Sequence, residues 1–442
     1  MEVYACEDTA VDALGPLVVA RPACDLTIGA GSLVEMLGAF GRVHRILRPH
    51  LQRYLEALGD SRVPLWGGPR EVAQNTASLP STLVLLVNAR LIPSRPQLIC
   101  LRTLLEAGRP GVILAGSTVA AAILQRNDDS ADTLNTISQG RQSLDALADT
   151  DIPQFDATLE LLQTPTDLLT AHEASLAAML AVALDSGRYV EYRPGLFLEH
   201  LDEPTLAPKV ADEIVVREGP VLIDAAADVG PFCCFDGPVR IGRRTKVHPH
   251  SWLGPGTVTG HDCRLGGEVT ATVIEPFSNK SHEGFLGHSH LGSWVNLAAG
   301  TITGNLKFSY GPVRLRCDET GSPTATGRQF FGSLIGDFTK TAIQTSLPCG
   351  GLIGPAATLG GVVASPVPAF TTRLSAAEQG TQTSVDLVAT SLARMLSRRD
   401  LAFLPADRHL LTAVAQLANA SGMEAGDSPP EPARESPSCV EP

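Results

Sequence analysis

The stretch Ser278–Lys307 reads SNKSHEGFLGHSHLGSWVNLAAGTITGNLK, and its spacing decides the fold. Leu286, Leu291 and Leu297 recur at steps of five and six, the first two each followed by Gly. A six-residue period fits neither a helix at 3.6 nor a strand at 2. It fits a left-handed parallel β-helix, in which each hexad is one flat side of a triangular prism. The aliphatic side chain points inward, and Gly is expected to ease the corner, where a Cβ crowds the turn. His282, Asn296, Asn305 and Lys307 are threaded through this frame as polar cargo.

Upstream, Ile223, Val229, Phe235, Ile241, Val247 and Leu253 fall six apart, and Leu265 follows after two steps. The frame breaks near Pro276 and again over 311–329, which reads as a loop leaving the prism. It returns at Ile335, Thr341, Leu347, Ile353 and Leu359. The prism is therefore expected over 206–366. Residues 1–205 alternate short apolar runs with helical spacing, as in Thr82–Val87 and Leu51–Leu58, which predicts an open α/β sheet of mostly parallel strands. Its ligands would sit beyond the carboxyl ends of the strands, near Asn88 and Arg90. His172 lies on the apolar stripe of a helix over Asp167–Ser186 and reads as a packed residue. Over 367–421 two apolar stripes, one on Val388, Leu392 and Leu396 and one on Leu410, Leu411 and Val414, predict a helix pair that caps or buttresses the prism. The Pro-, Glu- and Ser-rich tail 422–442 should be disordered.

With 442 residues there is room for two or three domains. The net charge of −13 argues against nucleic acid as the main partner. No stretch approaches about 18 consecutive apolar residues, which argues against a membrane span, and no secretory leader is evident, so the cytoplasm is the expected home. Nine cysteines are scattered without a CxxC spacing, and Cys233-Cys234 are expected to line the prism. The lysines are Lys209, Lys246, Lys280, Lys307 and Lys340, all after residue 208. Where Arg is the default base, a retained Lys can mark a place for a compact ammonium.

The stretch 282–307 resembles the acetyltransferase half of the bifunctional N-acetylglucosamine-1-phosphate uridyltransferase / glucosamine-1-phosphate N-acetyltransferase family. That family carries H-x-x-x-L-G, a five-residue step, then V-N-[IL]-x-A-G-T-[IL]-T-x-N. These are His282, Leu286-Gly287 and Val295-Asn296-Leu297 through Asn305 here. Across the whole length, RPACDLTIG, NARLIP, NLKFSYGPVR and GDFTKTAI resemble a divergent, short-form branch of sugar nucleotidyltransferases. The resemblance implies acetyl-CoA as co-substrate, an amino-sugar phosphate as acceptor, and His282 as the base that takes the amine proton, a task suited to a pKa near neutrality. It places Asn296 and Asn305 on the sugar phosphate or the acyl donor, with Lys307 or Lys280 as the cation for phosphate. It also implies a homotrimer, each acyl site completed by a neighbour. Phe285 stands where the family has tyrosine, which removes one substrate hydrogen bond.

In the N-terminal half the family's G-x-G-T-R loop is absent, and no lysine is present. Arg21 stands near the place of the family's lysine, and Asn88 stands where a magnesium-binding Asp would. Gly29 and Gly31 precede a helix and could cradle a phosphate of a nucleoside triphosphate. Mg2+ is a possible ion there, though an amide is a poor ligand for a hard dication. Two other functions stay open: a non-catalytic sugar-nucleotide-binding scaffold or sensor, and a zinc-dependent β-helix lyase using some of His248, His250, His282, His288 and His290.

Overall fold

The computed structural model describes residues 1–68, 82–317, 322–375 and 380–424. The tail from 425 on lies outside the described residues. The N-terminal sheet has five strands, β1 (Glu2–Cys6), β2 (Arg42–Ile46), β3 (Leu83–Asn88), β4 (Gly111–Ala115) and β5 (Thr118–Gln125), in the order β2-β1-β3-β5-β4. β1 runs parallel to both β2 and β3, while β5 is antiparallel to β3 and β4. β3 is apolar from Leu83 to Val87 because both of its faces are covered. Leu83, Leu85 and Val87 enter one core, and Val84 and Leu86 another. The polar stretch after Arg126 holds a helix (Asp128–Ser138) capped by Asn127, and the long helix Pro165–Asp185 closes the domain.

The prism follows the hexads. Ile223, Val229, Phe235, Ile241, Val247, Leu253, Leu265, Leu286, Leu291, Leu297, Ile335, Leu347, Ile353 and Leu359 form one buried cluster. Strands stack in parallel at steps of eighteen, Val229 on Val247 and Val247 on Leu265. The breaks in the frame are changes of coil length. Leu265 pairs with Lys280, a short coil, and Leu291 pairs with Ile335 across the loop excursion. The interior column survives both changes because each length change falls outside the paired strands. Stacking also begins earlier than residue 206, since Leu196–Glu199 pairs in parallel with Val221–Ile223.

Three details differ from the sequence reading. Most left-handed corner positions are not glycine: Phe232, Arg244, His250, Asp262, Phe277 and Trp294 all have φ between 54° and 65°. Such residues cost on the order of 1–3 kcal/mol each, offset here by side-chain packing. Phe277 stacks on Trp294 at 4.3 Å between ring centroids, and Phe232 stacks on His250 at 5.1 Å. Second, Cys233 lines the prism but Cys234 is only half-buried. Third, the helices Val385–Ser397 and Pro405–Glu424 pack on the side of the prism and not over its end. Leu392, Leu396, Leu410 and Leu411 meet the corner residues Phe277, Trp294, Phe338 and Phe370, together with Leu51 and Tyr54 of the N-terminal domain.

The excursion from the prism packs back as well. Val313, Leu315 and Phe331 are buried in the core of the N-terminal domain. Phe235→Ala should lower stability by about 3–5 kcal/mol through loss of interior contacts and a cavity. The check is the shift in urea midpoint at unchanged slope; a change under 1 kcal/mol would contradict the interior register.

Candidate functional site

His282 is exposed at a prism corner, two residues after the strand Asn279–Lys280. Lys280 is 1% exposed and takes an inward position in the column between Leu265 and Leu297. Its ammonium donates to the carbonyls of Gly266 (2.9 Å) and His282. Burial lowers its pKa to about 8, opposed by Glu283. Lys280 is therefore not a phosphate ligand; it fixes the backbone that presents the His282 ring to solvent.

From this corner the next face runs through Phe285 to His288. Asn305 Nδ2 donates to His288 Nδ1 at 3.1 Å, and the His288 ring stacks on Phe330. Burial lowers the pKa of His288, consistent with a neutral ring that accepts this bond. Gly287 is needed between them: a Cβ there would lie 2.4 Å from the Phe285 ring and 3.0 Å from Asn305 Nδ2. Lys307 donates to Pro312 O at 2.9 Å and so ties the excursion. Asn296 lies on the preceding face, in a cavity of about 180 Å³ with Arg264, Lys340, Arg398 and Arg399. The resemblance-derived residues are thus divided: His282 and Asn305 bound one face, Asn296 belongs to another, and Lys280 is interior.

In the N-terminal domain the candidate nucleotide-binding residues are engaged with protein partners. Arg21 is fully buried and faces the prism. Its guanidinium pairs with Glu275 at 3.1 Å, with Asp337, and with Ser293 Oγ at 2.7 Å. Arg90, 1% exposed, grips Asp8 through Nε (2.9 Å) and Nη2 (2.7 Å) and also bonds Leu162 O. Asn88 is fully buried; its Nδ2 donates to Asp8 Oδ2 at 2.8 Å and its Oδ1 accepts from Arg90 N. Both Asp8 oxygens already accept from Arg90, and the Asn88 amide faces Asp8 donor-first. This donor set does not fit a magnesium ion, which wants free carboxylate oxygens.

Gly29 and Gly31 form no phosphate cradle. Gly29 packs under the long helix, where a Cβ would lie 2.2 Å from Met179 Sδ, and its N–H donates to His172 Nδ1 at 3.0 Å. His172 then donates from Nε2 to Gly256 O of the prism at 2.9 Å. Burial lowers its pKa to about 4, so it serves as a neutral strut. The helix after Gly31, Leu33–Leu37, is only five residues long and is capped by Ser32 with Glu35. The stretch RPACDLTIG is a strap that binds the two domains together.

A cleft of about 1000 Å³ does open beyond the end of β3, displaced from Asn88 and Arg90. Ile92, Arg95, Glu160 and Asp167 line it along with the small residues Ala171, Ala174 and Ala178 of the long helix. The five histidines considered for zinc form no metal-holding group among the described residues. His290, for instance, is buried against Glu275 at 2.9 Å. Among the described residues no group of three His, Cys, Asp or Glu is placed to hold a metal.

Comparison with known proteins finds relatives for parts of the chain. Residues 3–183 match the sugar nucleotidyl transferase family model. The bifunctional protein GlmU of Methanococcus vannielii is 32% identical over 160 residues, covering 35% of this chain and 38% of that protein. A bifunctional sugar-1-phosphate nucleotidylyltransferase/acetyltransferase of Sulfurisphaera tokodaii is 31% identical over 147 residues, 33% of this chain and 36% of that one. GlmU of Cupriavidus pinatubonensis is 39% identical over 85 residues, 19% and 18% of the two chains. Over these segments the chain is similar to GlmU-type proteins. It spans well under half the length of each of these GlmU-type relatives.

Sequence reasoning offered His288 only as a zinc ligand, and it missed the basic cavity around Asn296. The signal was present in the eighteen-residue step from Lys246 to Arg264, which repeats an outward cation beside an inward aliphatic.

The strap makes a prediction. Burial alone would raise the Glu275 carboxyl, but Arg21 and then His290 hold it down to about 2. A carboxyl depressed in the folded state contributes stability that is complete above its unfolded pKa, near 4.5. That contribution is lost as pH falls from about 4.5 to about 2. Glu275→Gln should remove this part of the acid sensitivity, and Arg21→Ala should cost about 3–5 kcal/mol at pH 7 by leaving buried charge unpaired. Urea midpoints between pH 7 and 2 check both; an Arg21→Ala protein as stable as the wild type would contradict the strap.

Proposed function

We propose that the chain is a transferase of sugar-nucleotide biosynthesis. In this reading the prism is an N-acetyltransferase that moves the acetyl group of acetyl-CoA to an amino-sugar phosphate. The observation that carries the reading is the exposed His282 imidazole, whose backbone is pinned from beneath by Lys280, at the head of a face that ends in the Asn305–His288 pair. The sugar amine attacks the thioester carbonyl carbon, a C–N bond forms, and the C–S bond breaks. His282 takes the amine proton and returns it to the departing thiolate. Asn305 uses one amide hydrogen on His288, and the other is free for a substrate oxygen.

His282 and the Asn305–His288 pair stand at opposite ends of one face, which supports a homotrimer in which a neighbouring copy completes each site. The exposed Ile302 (48%), Ile343 (69%) and Val362 (65%) of the later coils supply apolar surface for that contact. The proposed location is the cytoplasm; Cys6, Cys24, Cys100, Cys233, Cys234, Cys263 and Cys349 are free thiols, in keeping with a reducing compartment.

For the N-terminal domain the buried Asp8–Asn88–Arg90 cluster favours a second reading, in which the domain braces the prism and binds a sugar nucleotide or sugar 1-phosphate in the Arg95 cleft without rapid nucleotidyl transfer. Pyrophosphate release from UTP and N-acetylglucosamine-1-phosphate with Mg2+ tests it. The expected result is a rate near background, and brisk turnover would return this domain to a full nucleotidyltransferase.

His282→Ala should lower acetyl transfer to amino-sugar phosphates by roughly 10²–10⁴-fold without moving the urea midpoint, since the ring lies outside the interior column. Transfer within a few-fold of wild type would remove His282 from the mechanism. Light scattering should give the mass of three chains at micromolar concentration; a stable monomer would contradict the shared site.

A further inference from the structure

We infer that the C-terminal helices and the prism together build an anion pocket, separate from the acetyl-transfer face, that takes the phosphoryl group of a small phosphate ester. Four outward residues on successive coils form its floor. Arg264 pairs with Asn279, Asn279 bridges to Asn296, and Asn296 bridges to Lys340. Strand spacing of about 4.8 Å sets the two cations roughly 14 Å apart with two amides between them. The helix Val385–Ser397 supplies the other wall through Arg398 and Arg399, and Phe277 and Trp294 make an apolar side.

Four cations line this space and no carboxylate does. Asp262, whose backbone carbonyl accepts from Arg399, has its carboxylate committed to Arg244 at 2.6 Å and His261 at 2.7 Å. Arg399 donates to Asp262 O (3.0 Å) and to Asn279 Oδ1 (3.2 Å), which leaves the Asn279 amide hydrogens free to donate. The Lys340 ammonium meets a single carbonyl, Phe338 O, at 3.3 Å. Burial, then Arg264, lowers the proton affinity of Arg399, and burial lowers that of Lys340. A helix C-terminus accounts for Arg398 and Arg399, but not for Arg264 and Lys340, which come from the prism.

Like charges gathered without acids are stabilised by an anion, and guanidinium forks with amides suit phosphoryl oxygens. About 180 Å³ holds a phosphoryl group and part of a sugar, and is too small for a whole nucleotide cofactor. The assignment uses no acyl chemistry and can stand if acetyl transfer fails.

Titration calorimetry on the full chain, at low salt and without acetyl-CoA, tests the pocket with glucose 1-phosphate and inorganic phosphate as probes. Saturable binding is expected. Arg398→Gln, Lys340→Met and Arg264→Gln should each weaken it tenfold or more, while Arg193→Gln, outside the pocket, leaves it unchanged. Arg398 is exposed, so its variant keeps the test valid if the Arg264 variant fails to fold. Tighter binding of the ester assigns the site to a sugar phosphate, and equal binding assigns it to free phosphate; both support a phosphoryl pocket. No saturable binding, or binding indifferent to all three variants, overturns it.

Discussion

One buried carboxylate, Glu275, holds the two halves of this chain in register. It pairs with Arg21 at 3.1 Å and is hydrogen-bonded by His290 and by both the backbone and the hydroxyl of Thr27. Asp337 and Ser293 complete the grip on Arg21 from neighbouring coils. A guanidinium buried this deeply depends on paired carboxylates to offset its desolvation. The corner at which these coils turn is therefore the corner against which the N-terminal domain must sit. From that docking follow the position of the long helix, the strut through His172, and the helix pair that closes over Phe277 and Trp294. The same arrangement covers one side of the prism and leaves the His282–His288 face open.

The prism was legible in the sequence because its physics is one-dimensional. An inward residue sees only its own column, so aliphatic recurrence at six states the fold without knowledge of distant contacts. The hexads survived even where coils lost or gained residues. Corner chemistry was less legible. Glycine was expected where Phe, Trp, His and Asp in fact bend left-handed, because stacking between neighbouring corners offsets the local strain and no spacing rule records that.

The candidate site was half legible. A motif could name His282 and Asn305, but not that Lys280 points into the prism, since lysine in an aliphatic column reads as surface until the short coil is known. Arg21 was the larger misreading. Its partner Asp337 lies 316 residues away, and nothing local distinguishes an arginine that holds phosphate from one that holds a buried carboxylate. Asn88 and Arg90 failed for the same reason, as both are consumed by Asp8. Motif resemblance supplied residue identities, while only tertiary pairing showed which of those residues remain available to a ligand.

The central claim is that chemistry resides on the open prism face and that the strap arginines serve architecture. A crystal structure of the chain with bound CoA and an amino-sugar phosphate tests it most directly. The account predicts ligand density between His282 and the Asn305–His288 pair, with Arg21 still held by Glu275 and Asp337 and Arg90 still on Asp8. Ligand phosphates in contact with Arg21 or Arg90, and none along that face, would contradict it.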